Sequence, residues 1–473
     1  MDKLFTNQSQ TSKLIIGLVF TFIVVRLGSL GLYPFFDSTE ARYGEIARIM
    51  METQNWITPF FDYDVPFWGK PPMHTWASAA SFQLLGISEF SGRLPHFIAA
   101  LATLLTIFVF AKRHISHHTA LIAALILISS IGFIIAGGMV MTDAILTLSI
   151  SMAMVSFWHN YTVSTSTKAG YLFFIALALG MLVKGPVAIV IIGIALVIWS
   201  VANHCFWQAI ASLPWTKGLL IFSVLTLPWY IQAEIATPGF LEYFLWGEHV
   251  QRFLDPGWQG DLYGSAHKKA KGTIWLFGLL IAFPWSFIAL HHLLKSWRRK
   301  TLTRKNTNKA LNNYLVAWFL APMVLFTFAG NTLPIYVLPG VPAFALWLAP
   351  KCSSIKQVIM TSLLSLIIII CLLCIIIGGG TTKKSHVDLI GNNALKESVP
   401  LYYWNKRPFS ARFYSRGKAA LLTEHQQIAK ALSTDQQFLF AIRTKEVNSL
   451  KSVIDQACSA INKSGKFTLF SCN

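Results

Sequence analysis

Long apolar runs alternate with short polar connections along most of the chain. The runs Ser12 to Tyr33, Ile274 to Leu290 and Lys356 to Gly378 each approach the roughly 20 residues that a helix needs to cross a hydrocarbon core of about 30 Å. Runs near 12–33, 94–111, 118–136, 140–161, 170–183, 185–202, 216–234, 273–294, 312–329, 333–350 and 356–378 predict eleven spans. The stretch 73–87 is apolar but only moderately long, and is expected to lie along the interface or to re-enter. Between the first two spans, Thr39 to Glu52 is free of Gly and Pro except Gly44 and puts Ile46, Ile49 and Met50 on one helical face. That pattern predicts an amphipathic helix parallel to the membrane. Trp56 to Pro72, with Pro59, Pro66, Gly69, Pro71 and Pro72, reads as an extended loop.

Beyond Gly378-Gly379-Gly380 the composition turns polar. His425 to Leu432 reads as a helix, and Phe438 to Ile442 and Phe467 to Phe470 read as strands. The predicted fold is an all-α polytopic membrane domain over 1–378, with a periplasmic first loop containing amphipathic helices. A small periplasmic α/β domain over 379–473 follows.

Composition sharpens this. Hydrophobic residues make up 54% of the 473 positions and charged residues only 12%, about half the share of an ordinary soluble domain, which excludes a cytosolic enzyme. The formal net charge of +19, from 39 basic and 20 acidic residues, fits loops that favour the cytoplasmic face and not nucleic acid. Lys295, Arg298, Arg299, Lys300, Arg304, Lys305 and Lys309 form a run without an acidic residue, so loop 295–309 is expected in the cytoplasm. Counting outward from it puts loops 34–93 and 235–272 and the C-terminal tail outside. The first run lacks a small-residue cleavage site and is expected to stay as a span. Of six cysteines, Cys371 and Cys374 lie within an apolar run and read as plain membrane-helix residues; Cys458 and Cys472 lie in the polar tail, where a disulfide is open if that tail meets an oxidising compartment.

On this topology, charges that each cost about 2.5–3.5 kcal/mol at a helix centre in lipid fall at the same outer ends of spans. Asp37 and Glu40 follow span one, and Lys70 closes the same loop. Asp143 sits in Gly137-Gly138-Met139-Val140-Met141-Thr142-Asp143, and Lys184 in Leu182-Val183-Lys184-Gly185-Pro186. Glu248, His249, Gln251 and Arg252 lie in the large outer loop, and Asn331 to Tyr336 forms another outer turn. Singly, each has a plainer reading: Asp37 or Glu40 as helix caps, Lys70 and Lys184 as snorkelling side chains, Asp143 as a neutralising partner of Lys184. Together they suit binding of an anionic headgroup and displacement at its sugar carbon.

The ordered set Asp37-Ser38-Thr39-Glu40-Ala41-Arg42-Tyr43-Gly44-Glu45, Trp56-Ile57-Thr58-Pro59, Gly69-Lys70-Pro71-Pro72, Thr142-Asp143, Val183-Lys184-Gly185, Glu248-His249-Val250-Gln251-Arg252-Phe253 and Leu333-Pro334-Ile335-Tyr336 resembles a known family over about residues 12–350. These are the bacterial 4-amino-4-deoxy-L-arabinose transferases acting on lipid A, relatives of the dolichyl-phosphate-mannose protein mannosyltransferases. The resemblance implies an inverting membrane glycosyltransferase of the C superfamily in the bacterial inner membrane, working on the periplasmic face. It would use a polyprenyl-phosphate-linked sugar donor and a lipid A, glycan or protein acceptor. It also implies catalysis by Glu40 or Asp37, with Arg42, Tyr43, Lys70, Asp143, Lys184, Glu248, His249, Arg252 and Tyr336 binding donor and acceptor.

Three positions depart from the family pattern. Its first-loop acidic pair meets Thr39 and then Glu40, leaving Asp37 as a stand-in two residues earlier. Gly69 replaces the acid before the loop lysine, and Thr332 replaces a lysine ahead of Leu333. No cofactor is readable, and a divalent metal with unassigned ligands stays an open alternative. The rival reading is a transporter or flippase of lipid-linked sugar, which requires mid-bilayer polar groups and repeat symmetry; a non-catalytic assembly subunit would tolerate loss of the carboxylates.

Overall fold

The computed structural model describes residues 8–163, 167–255, 257–264, 269–298, 309–380, 384–391, 399–434, 436–454 and 457–472. The basic run at 299–308, which carries most of the orientation signal, lies outside them. Helices fill the chain to Ile375, and a five-stranded sheet follows. Among the described residues six helices are long and apolar enough to cross a membrane: Ser9–Ser29, Glu89–His114, Thr167–Lys184, Trp215–Ala236, Lys309–Thr327 and Ile355–Gly379. The architecture is that of a polytopic membrane protein. Large apolar side chains such as Phe20, Leu105, Val224 and Leu276 point outward, as a surface solvated by lipid requires. Inside, Trp199, Tyr314 and Trp318 are fully buried and their polar atoms donate to the carbonyls of Ala310, Met154 and Pro339 at 3.1, 2.6 and 3.0 Å, so none of these three large side chains strands a dipole in the core.

The straight span expected at 273–294 is not found. Thr273–Ile281 and Trp285–Lys295 meet at 111°, because Pro284 lacks an N–H and its ring clashes with the preceding turn. The groups freed at the bend find partners: Ile131 donates its N–H to the Phe283 carbonyl at 3.0 Å, and the Ser286 hydroxyl donates to Leu279 at 2.8 Å. The runs at 118–136 and 333–350 are likewise divided, into His117–Ser129 with Ile131–Ala136 and Pro334–Gly340 with Val341–Leu348.

The Thr39–Thr53 helix forms as expected but does not lie along a surface. Its residues from Glu40 to Met50 are buried except Arg42, between the Met73–Leu85 helix on one side and Phe409–Tyr414 on the other. Phe35 wedges beneath it; a Cβ on Gly44 or Gly92 would come within 2.8 or 2.7 Å of that ring, so both positions need glycine for close approach. The loop that follows carries a small hairpin of Phe60–Asp62 and Val65–Pro66.

In the C-terminal region the His425–Leu432 helix and the strands Phe438–Arg443 and Phe467–Cys472 agree with expectation. The strands Leu401–Trp404, Ala419–Leu422 and Cys458–Ser464 complete the sheet. The order runs Ala419–Leu422, Leu401–Trp404, Phe438–Arg443, Phe467–Cys472, Cys458–Ser464, with the first three parallel and the last two antiparallel. Alternation along Phe438–Arg443 sends Phe438, Phe440 and Ile442 to one core and Ala441 to the other. Cys458 and Cys472 face each other in this register and form a disulfide, whereas Cys371 and Cys374 are free.

Candidate active site

Two helix ends set the first half of the site. Asp143 lies in the first turn of Thr142–Thr162, where the helix dipole favours a carboxylate. Lys184 ends Thr167–Lys184, and Gly185, at φ 76°, takes the left-handed conformation that closes a helix at little cost. A Cβ on Gly185 would meet the Phe244 ring at 2.5 Å, so this glycine also admits the outer loop. The Lys184 ammonium donates to Asp143 Oδ1 at 2.7 Å and sits over the Tyr336 ring, 4.7 Å from its centroid. Phe326 backs that ring at 4.6 Å.

The other half comes from the outer loop. Glu242–Gln251 winds as a π-helix, a geometry frequent at functional sites. Glu248 accepts from Lys70 Nζ at 2.5 Å and from Arg252 Nη1 at 2.7 and 2.8 Å; Asp261 lies 3.3 Å from Arg252 Nε. Burial pushes the Glu248 carboxyl up, but Lys70 and Arg252 outweigh that and hold it below the usual glutamate value. Burial holds the His249 imidazole below its ordinary value, so it is neutral. Its Nδ1 and Nε2 lie 2.7 and 3.1 Å from the carbonyls of Phe244 and Lys184; one nitrogen donates, and the ring anchors the loop to the lysine-bearing helix end.

Both halves face one cavity of about 570 Å³. Arg42, Tyr43, Lys70, Asp143, Lys184, Glu248, His249, Arg252 and Tyr336 all line it, so nine sequence-predicted binding residues from six separate stretches of chain converge. The Arg42 Nη1 donates to the Tyr263 carbonyl at 2.7 Å, and its guanidinium lies over Tyr43 at 5.1 Å.

The two expected catalytic carboxylates are not brought there. Thr39 lines the cavity, while Glu40 turns away and binds Arg93 Nε and Nη2 at 2.8 and 2.9 Å. Asp37 accepts from the Ser410 amide at 3.0 Å and from the Ser410 hydroxyl, which joins the first loop to the C-terminal region. Neither carboxylate borders the cavity. Sequence reasoning missed Arg93, whose one signal is a charge immediately before the apolar run near 94–111, and Tyr263, which lines the cavity from the outer loop.

Among the described residues no three His, Cys, Asp or Glu side chains are grouped to hold a divalent ion. Asp143 and Glu248 are committed to cations, and at Gly69 a Cβ would lie 2.9 Å from the Phe67 ring.

The chain resembles proteins of known sequence and known structure. Residues 14–244 match the family model for dolichyl-phosphate-mannose-protein mannosyltransferases. The undecaprenyl phosphate-α-4-amino-4-deoxy-L-arabinose arabinosyl transferase of Edwardsiella ictaluri is 30% identical over 315 residues, 66% of this chain and 54% of that protein. The Erwinia tasmaniensis protein of the same name is 29% identical over 325 residues, 68% and 56%. The chain thus spans a little over half the length of these curated relatives. The crystal structure of ArnT from Cupriavidus metallidurans bound to undecaprenyl phosphate superposes with a TM-score of 0.82, at 17% identity, over 97% of both chains. By fold, this chain is ArnT-like. The resemblance expected from the motifs, to membrane glycosyltransferases of the aminoarabinose type, is borne out.

In this ArnT-like chain, Glu40→Gln is expected to lower stability by about 3–5 kcal/mol, because it strands the buried Arg93 charge. Thermal unfolding in detergent reads this; lost transfer at an unchanged midpoint would return Glu40 to a chemical role.

Burial raises the Asp37 pKa, against the Ser410 hydrogen bonds that lower it. A folded value above the unfolded one contributes stability that is complete at low pH and is lost as pH rises through the folded value. The midpoint of Asp37→Asn, measured against wild type, should therefore improve from about pH 4 to about pH 7. A constant difference across that window would remove the buried-carboxylate account.

Proposed function

We propose that this chain transfers a sugar, with inversion, from a polyprenyl-phosphate donor to an anionic phosphate acceptor of the bacterial envelope, of which lipid A is the leading case. The observation that carries the proposal is the pairing of two cationic groups in one cavity of about 570 Å³. Lys70 and Arg252 suit the donor phosphate; Lys184, oriented by Asp143, and Arg42 suit the acceptor. The donor class is that in the names of the arabinosyl transferase relatives, and ArnT was solved with undecaprenyl phosphate bound.

The chemistry follows from charge. An acceptor phosphate is already anionic near neutral pH, so its oxygen attacks the sugar C1 without a general base. The C1–O bond to the polyprenyl phosphate breaks, its electron pair leaves with that phosphate, and Lys70 and Arg252 stabilise the charge that develops. One displacement at C1 inverts it. Asp143 and Glu248, the carboxylates lining the cavity, are both held by cations, which favours this acceptor over a hydroxyl that must lose a proton. No step runs through a metal.

Orientation follows from parity. Counted along the eleven expected spans, Lys70, Asp143, Lys184, Glu248 and Tyr336 follow spans one, three, five, seven and nine, and the C-terminal sheet follows span eleven. Their convergence in one cavity, and the contact of Asp37 with Ser410, support eleven crossings with all these groups on one face. The Cys458–Cys472 disulfide makes the periplasmic face of the inner membrane the natural one.

Lys70→Ala and Lys184→Ala should each reduce transfer at least about 100-fold in folded protein, since losing one preorganised partner of a developing anion costs about 2.7–4 kcal/mol. Mass spectrometry of lipid A after incubation with a polyprenyl-phosphate aminoarabinose donor reads the product. Near-normal turnover in both variants would end the proposal. Alkaline phosphatase fused after residue 385 should be active, and activity at residue 303 instead would reverse the orientation.

A further inference from the structure

Glu248 holds both donor-side cations at once. Its Oε1 is 2.5 Å from Lys70 Nζ and 2.7 Å from Arg252 Nη1. A carboxylate between an ammonium and a guanidinium uses the same charge-assisted hydrogen bonds that two phosphate oxygens would use. Lys70 Nζ also donates to the Gly69 carbonyl at 2.5 Å, and Asp261 lies 3.3 Å from Arg252 Nε. A phosphate that bridges the two cations at Lys70 Nζ and Arg252 Nη1 has to take those donors from Glu248. The carboxylate is 6% exposed yet belongs to the cavity wall, so a headgroup in the cavity meets it directly.

We propose that Glu248 is a built-in competitor of the polyprenyl phosphate: it yields Lys70 and Arg252 to the donor and retakes them as the product leaves. The charge change on reaction gives this a purpose. The donor is a phosphodiester with one negative charge, and transfer leaves a phosphomonoester whose second ionisation lies near pH 6, so the product would grip bare cations harder than the donor does. A carboxylate returning to them offsets that excess. The next residue, His249, has its ring nitrogens against the carbonyls of Phe244 and Lys184 and can donate to one of them, and the exchange is assigned to the Glu248 side chain. The inference rests on the donor class proposed above.

The test is binding of undecaprenyl phosphate to the full chain in nanodiscs. Glu248→Gln removes the competing charge and should tighten binding at least about tenfold, which equals 1.4 kcal/mol; Glu248→Asp keeps the charge and should bind like wild type. Equal or weaker binding by folded Glu248→Gln overturns the inference. Should that variant not fold, a structure of wild type with undecaprenyl phosphate decides: a carboxylate still on both Lys70 Nζ and Arg252 Nη1 overturns it, and one that has left either cation sustains it. Wild-type protein that binds no undecaprenyl phosphate overturns the donor assignment and this inference with it, whereas wild-type binding without a gain in the Gln variant overturns this inference alone.

Discussion

The site depends on one buried ion pair that lies outside its cavity. Arg93 is fully buried and Glu40 nearly so. Besides Glu40, the guanidinium donates to the carbonyls of Leu30, Tyr33 and Pro34 at 2.6, 2.7 and 3.0 Å and stacks 3.9 Å from the Tyr33 centroid. Those carbonyls belong to the turn where the first helix ends, and in apolar surroundings they need a donor from elsewhere in the chain. Glu40 Oε1 also accepts the Val140 amide at 3.3 Å. Removing two charges from water is expensive, and here the cost is offset by a nearly complete set of hydrogen bonds. The pair fixes the end of the first helix, the start of Thr39–Thr53, the start of Glu89–His114 and the turn three residues before Asp143. Because Glu40 points at Arg93, its neighbours Thr39, Arg42 and Tyr43 are the ones that reach the cavity.

Within the cavity, preorganisation comes from unequal pairing. Four cations line it, Arg42, Lys70, Lys184 and Arg252, against two carboxylates, Asp143 and Glu248. Each carboxylate fixes the rotamer of a long, flexible cation before any ligand arrives, and the lining keeps an excess of positive charge for phosphate. Arg42 is held differently, by the Tyr263 carbonyl and by the rings of Tyr43, Phe67 and Phe409. Phe409 comes from the C-terminal region, so that region reaches the wall of the site through one aromatic contact.

The binding groups were legible because charge at a helix end is costly enough in lipid to need a reason, and because alternate span ends must meet on one side. Lys70, Asp143, Lys184, Glu248 and Tyr336 came together on that logic. The direction of Glu40 was not legible: a helix turns about 100° per residue, so a one-residue difference at its start exchanges the cavity face for the Arg93 face. Arg93 itself sat just before the run near 94–111, where a basic residue reads as an ordinary span flank. Averaged hydropathy passed over the bend at Pro284, and the four-residue strands Leu401–Trp404 and Ala419–Leu422 are too short for a period to show. The disulfide depended on strand register, which spacing alone does not fix.

The acidic first loop shows how composition misleads about chemistry. Six of the 20 acidic residues fall between positions 34 and 72, a density that reads as catalytic. The structure spends most of them on assembly. Asp37 binds Ser410 and Glu40 binds Arg93; Glu45 and Glu52 bind Arg48; Asp62 receives Arg407 and Arg412. Tyr414 adds a hydroxyl that donates to Glu89 at 2.8 Å and accepts from the Phe35 amide at 2.7 Å. Most of these contacts join the loop to the C-terminal region, which supplies Arg407, Ser410, Arg412 and Tyr414 within eight residues. Acid on the loop and base on its partner select one docking arrangement, because like charges there would repel in a poorly solvated interface. Five of the six loop carboxylates are thus committed to structural partners, which favours the proposed acceptor that brings its own negative charge over one that must lose a proton.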